Sequence, residues 1–364
     1  MFVGRMQELP FDATQDAYQE RAEALLAAVK AGDREAGWRF KWEHPRFRGK
    51  DIADVRAAEL DIGDAQIVIA QQASFDSWPE LLQFAETVAH DGPAREFELA
   101  VETVVAGDAD ALLDMLRRNP QLAHARSSRR HHATLLHYIG ANGVEGSRQR
   151  TPPNAVEIAK ILLDAGAEPD ALADMYDHQC TTMSMLVSSA HPARAGLQAA
   201  LAETLLDHGA AIEGRGTNWQ SSVLTALAFG YGETAEALAS RGAPLSMEAA
   251  AGLGRLDEAA RLLPSAHARS RQIALALAAQ HGHAAVVQLL LDAGEDPSRY
   301  NPDGFHSHST PLHQAVWSDH GDVVRLLVER GARLDMPDKV YSGTPLDWAV
   351  YGGRDAIAEY LRTR

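Results

Sequence analysis

Through the second half of the chain, apolar residues recur at i, i+3 and i+4 in short runs, each closed by a Gly and reopened by Thr or Ser. That spacing marks one face of an amphipathic helix. Within residues 309–335, Leu312, Ala315 and Val316 form one stripe, and Val323, Leu326 and Leu327 form another. Thr310 stands where a helix cap belongs. Pro311 follows in the first turn, where no backbone donor is lost. His320 and Gly321 break the first helix, and Gly331 ends the second, where a left-handed residue is easiest. Each predicted helix has about ten residues, too short to be stable alone in water. Two such helices cannot bury both apolar faces, so the pair needs copies stacked on either side.

The copies are present. Thr344 opens a second TPL segment 34 residues after Thr310. The helix-ending motif recurs as DAGAEPD (164–170), DHGAAIE (207–213), SRGAPLS (240–246), DAGEDPS (292–298) and ERGARLD (329–335). A shorter unit at 247–269 matches the next at a spacing of 28, Gly254 to Gly282. The T-P-L-H motif, the period near 33 and the L-L-x-x-G-A ending together resemble the ankyrin-repeat family. The resemblance implies an all-α solenoid of helix pairs joined by β-hairpin fingers. It covers 97–364 as about seven to eight units. The motif is looser at TLLH (134–137), TTMS (181–184) and SVLT (222–225). Residues 1–96 read as an N-terminal helical cap, partly ankyrin-like, because in both Gly32–Pro45 and Gly107–Pro120 a Pro follows the Gly of Ala-Gly-Asp by 13 residues. The whole chain also resembles a bacterial ankyrin subgroup with a helical N-terminal extension, a likeness that carries no activity with it.

In that family, partners usually touch the fingers and the exposed end of the first helix. Those places fall four, three and one residues before the Thr of TPLH, and seven after it. Of 20 such positions in five alignable units, five are aromatic, against 6% aromatic residues in the chain. They are Trp219, Phe229, Trp317, Tyr341 and Tyr351. Aromatic side chains carry much of the energy of binding surfaces. With His131, Asp177, His178, Asn218 and His306 as polar neighbours, they make up the expected partner-binding set.

Charge and chemistry narrow the picture. A net charge of -16 repels phosphates and anionic lipid, so neither nucleic acid nor membrane is expected as a partner. The short basic run 126–130 is the local exception. One cysteine, Cys180, allows no disulfide and no thiolate zinc cluster. No apolar run reaches the length of a membrane span, and the opening MFVGRMQELP has no signal-peptide pattern. A cytoplasmic protein is expected.

No P-loop, dinucleotide fingerprint, nucleophile elbow or H-E-x-x-H motif is present. No catalytic residue, metal ligand or cofactor is therefore assigned. His306 and His308 lie two apart on a finger, where they could begin a metal site with His178, His131 or Asp303; ordinary polar finger residues are the weightier reading. His137 and His313 fill the TPLH histidine position, where the resemblance implies a loop-tying structural role. Insertions at 142–154 and 191–198 and a long finger at 300–309 could carry function. The expected function is a non-enzymatic protein–protein interaction scaffold. The alternative is a small-molecule or metal-binding pocket built from the inserted loops, histidines and rings, with or without catalysis.

Overall fold

A computed structural model describes residues 9–214 and 221–364. The chain divides into two compact units, Met1–Asn218 and Trp219–Arg364.

The first unit begins with α1 (Gln15–Lys30), α2 (Arg34–Glu43), α3 (Ile52–Ala57), α4 (Ile62–Gln72) and α5 (Trp78–Val88). Several starts are written locally: Thr14, Asp33 and Ser77 accept the backbone N–H groups of Ala17, Ala36 and Glu80. These helices enclose a core of their own, with Leu25, Phe40, Phe47, Val68 and Leu81 buried at its centre. Next come α6 (Pro93–Ala106), α7 (Ala109–Arg118), α8 (Ala155–Asp164), α9 (Thr182–Leu186), α10 (Ala190–Arg194) and α11 (Gln198–Asp207). Helices α7, α8 and α11 pack in sequence as one layer. The other layer is α6, a 3₁₀ turn at Leu135–Gly140, and α9. At TLLH the expected helix is thus reduced to a tighter turn, closed by Ala141 at φ 46°.

The second unit is five helix pairs: α12 (Ser222–Ala228) with α13 (Gly232–Ser240), α14 (Met247–Gly252) with α15 (Leu256–Leu262), α16 (Ala268–Gln280) with α17 (Ala284–Asp292), α18 (Pro311–Trp317) with α19 (Gly321–Glu329), and α20 (Pro345–Tyr351) with α21 (Asp355–Arg362). First helices stack as α12–α14–α16–α18–α20, and second helices as α15–α17–α19–α21. Helix α16 is buried continuously from Ile273 to Gln280, because α14 and α18 cover opposite sides. Its alanines at 274, 276, 278 and 279 let both neighbours approach.

Within each unit histidines tie neighbouring repeats together, as the family resemblance implied for His137 and His313. The Thr134 N–H donates to Nδ1 of His137 at 3.2 Å, which leaves Nε2–H to donate to the Cys180 carbonyl at 3.2 Å. His313 does the same between Thr310 and the Gly343 carbonyl. Burial pushes the His137 ring down to about 4, so the neutral form makes this link. A second ladder runs from His283 Nε2 to the Gly252 carbonyl and from His320 Nε2 to the Gln280 carbonyl. It forces glycine at 254 and 282. Both have positive φ, and a Cβ there would meet the His283 or His320 ring at 2.5 or 2.6 Å.

The fingers are less regular than expected. Among the described residues the one strand pair is β1 (Ala173–Met175) with β2 (His178–Cys180), antiparallel with Asp174 opposite Gln179. The finger at 300–309 is a turn closed by the Asn301 N–H on the Ser309 carbonyl at 2.8 Å. The finger at 338–343 is wound around one carboxylate, described below.

The insertion at 142–154 is anchored by charge. Its Glu145 and Arg148, each 5% exposed, meet Glu98 of α6 and Arg129 in a buried network. Arg129 pairs with Glu98 at 3.2 Å and with Glu145; Arg148 pairs with Glu98 and, at 2.7 Å, with the half-exposed Glu102. The Arg129 guanidinium also lies 4.5 Å from the centre of the Phe84 ring. Burial opposes ionisation of Glu145, but Arg129, His131 and Arg148 outweigh it and hold the carboxyl well below the usual range. The basic run at 126–130 is absorbed in the same way. Arg126 donates to the His132 and Leu172 carbonyls, and Arg130 reaches Gln71 and Asp76.

Candidate functional site

In the second unit, α18, α20 and two fingers enclose a cleft of about 620 Å³. Trp317 ends α18 and Tyr351 ends α20, each six residues after its helix-opening Pro. Repeat stacking therefore sets them at equivalent places on adjacent units. Tyr341 comes from the finger 338–343, and His306 and His308 from the finger 300–309. Trp348 of α20 forms the back wall. It makes edge contacts with Trp317 (5.9 Å) and His313 (5.0 Å) and a tilted contact with His308 (5.9 Å).

Asp338 builds this wall. Its carboxylate is 1% exposed and accepts the N–H groups of Val340 (2.9 Å), Tyr341 (2.7 Å) and Gly343 (2.8 Å). It also accepts the Trp348 Nε1–H at 3.0 Å. One side chain thus winds the finger, presents Tyr341 and fixes the Trp348 ring. Burial pushes the carboxyl up, but these four donors win and bring it to about 2. Asp347 also lines the cleft. It takes the place of the TPLH histidine, accepting Thr344 Oγ1–H at 2.7 Å and Thr344 N–H at 2.8 Å, bonds that hold its carboxyl below the usual range.

The structure brings together four residues of the expected set: His306, Trp317, Tyr341 and Tyr351. Trp317 is 46% exposed, Tyr341 81% and Tyr351 86%, so these rings face outward rather than filling gaps between fingers. His306 gives Nε2–H to the Ala228 carbonyl at 2.8 Å, and burial lowers its pKa. Phe229, the next residue, is 49% exposed and stacks on Tyr231. Asp177 and His178 are exposed at the β1–β2 turn of the first unit. His131 is 2% exposed, packed edge-on to Tyr138 and 3.5 Å from Glu145. It belongs to the buried network and offers no docking surface, because its finger is pulled inward by Arg129 and Glu145. Asn218 and Trp219 lie outside the described residues.

Sequence reasoning missed Trp348 and Asp338. Trp348 sits four residues after Thr344, one helical turn before Tyr351. The helical spacing could have disclosed it, but only the position seven after the Thr was read. Asp338 carries no motif.

Cys180 is buried, with Sγ directed to the Met175 carbonyl. The hydroxyls of Ser188 and Ser189 donate to the Met185 and Ala141 carbonyls. Among the described residues no three of His, Cys, Asp and Glu converge as a metal site requires, and no helix is long and apolar enough to cross a membrane.

Stacked helix pairs, first helices capped mostly by Thr or Ser, and histidine ties mark a helical repeat stack. The family model described as ankyrin repeats (3 copies) matches residues 246–338 and 275–364, so the C-terminal region carries ankyrin repeats. Among curated proteins, it is 36% identical over 90 residues (25% of this chain, 6% of the relative) to the inactive serine/threonine-protein kinase TEX14 of Mus musculus. It is 38% identical over 69 residues (19% of this chain, 29% of the relative) to Protein PhlB of Serratia liquefaciens. The chain spans less than a third of the length of either relative.

Proposed function

We propose that this chain is a non-enzymatic protein–protein interaction scaffold. In this reading it is an ankyrin-repeat solenoid over 97–364, capped by the helical region 1–96, that works in the cytoplasm and holds a partner through its fingers and first-helix face. Ankyrin repeats are generally protein-interaction modules, and 246–364 are such repeats. The observation that carries the reading is the cleft around Trp317, Tyr341, Trp348 and Tyr351: four rings on one surface, two of them largely in solvent and Trp317 about half so. Rings held in place bind at low entropic cost. Among the described residues Asp347 lines the cleft and no Lys or Arg does. The occupant that fits is an extended partner segment with a cationic side chain, attracted by the ring faces and the carboxylate.

The test is capture from the native cell followed by mass spectrometry, comparing the wild-type chain with a Trp317→Ala, Tyr341→Ala double variant. Both side chains are exposed, so the variant should keep its thermal midpoint and lose its partner. Undiminished capture would defeat the proposal. The volume of the cleft also suits a small organic molecule, which supports the second reading of a ligand pocket. Saturable binding of an aromatic cation by the isolated wild-type chain, lost in the same variant, would favour that reading.

A further inference from the structure

We propose that the first unit contains a separate anion-binding cleft for a small phosphate ester bearing hydroxyl groups, such as a nucleoside monophosphate or a sugar phosphate. The cleft has a volume of about 790 Å³ and is lined by α1, α2, the end of α4, α6 and the insertion 142–154. The buried network already described makes its rigid floor. Arg129 and Arg148 are matched there by Glu98, Glu145 and Glu102. Three further arginines line the same cleft from different elements: Arg21 of α1, Arg39 of α2 and Arg150 of the insertion.

That convergence runs against the charge of the molecule, which is -16. Arg39 pairs with the exposed Glu35 at 3.0 Å and also lies near Glu43. Arg150 is exposed and has no charged partner among the described residues. Guanidinium groups gathered over a fixed floor, Arg150 exposed and Arg21 and Arg39 half-buried, suit a phosphate, whose oxygens accept their forked donors. The Tyr18 side chain is 5% exposed and lines the cleft. It is a preformed donor.

The two carboxylates in the lining decide what else the ligand carries. Glu145 is 5% exposed, and its Oε2 has no hydrogen-bond partner. Glu102 is half exposed. Beside a bare polyanion they would repel. Beside the hydroxyl groups of a ribose or other sugar Glu102, the exposed one of the two, accepts hydrogen bonds. Phe11 and Ile69 supply apolar wall for the remainder of the molecule. An ester of this kind satisfies the arginines and the carboxylates together; inorganic phosphate satisfies one set only.

The proposal is tested by calorimetric titration of the full chain at low salt with three probes: adenosine monophosphate, inorganic pyrophosphate and adenosine. The expected order of affinity is adenosine monophosphate, then pyrophosphate, then adenosine, with the first weakening as salt is raised. Arg39→Gln and Arg150→Gln remove groups outside the buried network. Each should weaken adenosine monophosphate about tenfold while leaving the thermal midpoint in place. Tyr18→Phe should weaken it less. Absence of saturable adenosine monophosphate binding at millimolar concentration overturns the proposal, as does adenosine binding equally well, or either arginine variant binding with wild-type affinity. None of these outcomes bears on the partner cleft of the second unit.

Discussion

Replacing Asp338 with Asn tests whether one carboxylate organises the aromatic cleft. The substitution keeps shape and removes charge. In the native finger both oxygens face donors: one accepts from Val340 and Tyr341, the other from Gly343 and Trp348 Nε1. A carboxamide has one oxygen, so whichever way it turns its NH₂ confronts two N–H groups. The carboxyl is held at about 2 against an ordinary value of 3.8, which favours the folded anion by about 2 kcal/mol at neutral pH. With the donors left unsatisfied by the amide, the total loss should be about 3 kcal/mol. The sign follows from the depressed pKa: the stabilisation is complete above pH ~4 and disappears as pH falls towards ~2. Urea unfolding at neutral pH should show Asp338→Asn giving way earlier, and amide exchange over 338–350 should rise. The gap from wild type should shrink below pH ~4 as the native carboxyl takes up its proton. Equal urea midpoints at neutral pH, or a gap that stays constant on acidification, would refute the reasoning.

Three more expectations follow from the packing. Arg129→Met leaves Glu98 and Glu145 buried with only Arg148 and the His131 ring beside them, and should cost about 3–5 kcal/mol in the unfolding of the first unit, read from its denaturant midpoint. Gly282→Ala places a side chain at φ 78° and 2.6 Å from the His320 ring; a drop of at least about 1 kcal/mol in thermal stability should follow, and Gly304→Ala, where nothing lies within 4 Å, should lose only the backbone part. His137, His281, His283, His306 and His313 all have pKa values lowered by burial, so the folded chain resists protonation more than the unfolded one. Stability should be full above pH ~6.5 and fall as pH drops towards ~4, with a midpoint-against-pH scan flat across that window as the contrary result.

Residue order alone determined the repeat. The Thr-Pro start, the Gly stop and the 3.6-residue stripes are local signals, and repeat stacking follows because no single pair can cover its own apolar faces. That same periodicity made Trp317 and Tyr351 legible as outward positions, since equivalent places in successive units face the same way. Tertiary structure alone decided the rest. His131 met the same positional rule as Trp317, yet it is buried, because Glu145 and Arg129 reach it from segments that the repeat pattern does not describe. Asp338 looks like any polar finger residue until the chain closes around it and four donors converge. The arginines at 21, 39 and 150 are scattered along the sequence, and their shared cleft exists only because an irregular insertion folds back on the N-terminal helices. Periodic contacts between neighbours are encoded locally; contacts across long separations depend on where loops land, and no spacing rule carries that information.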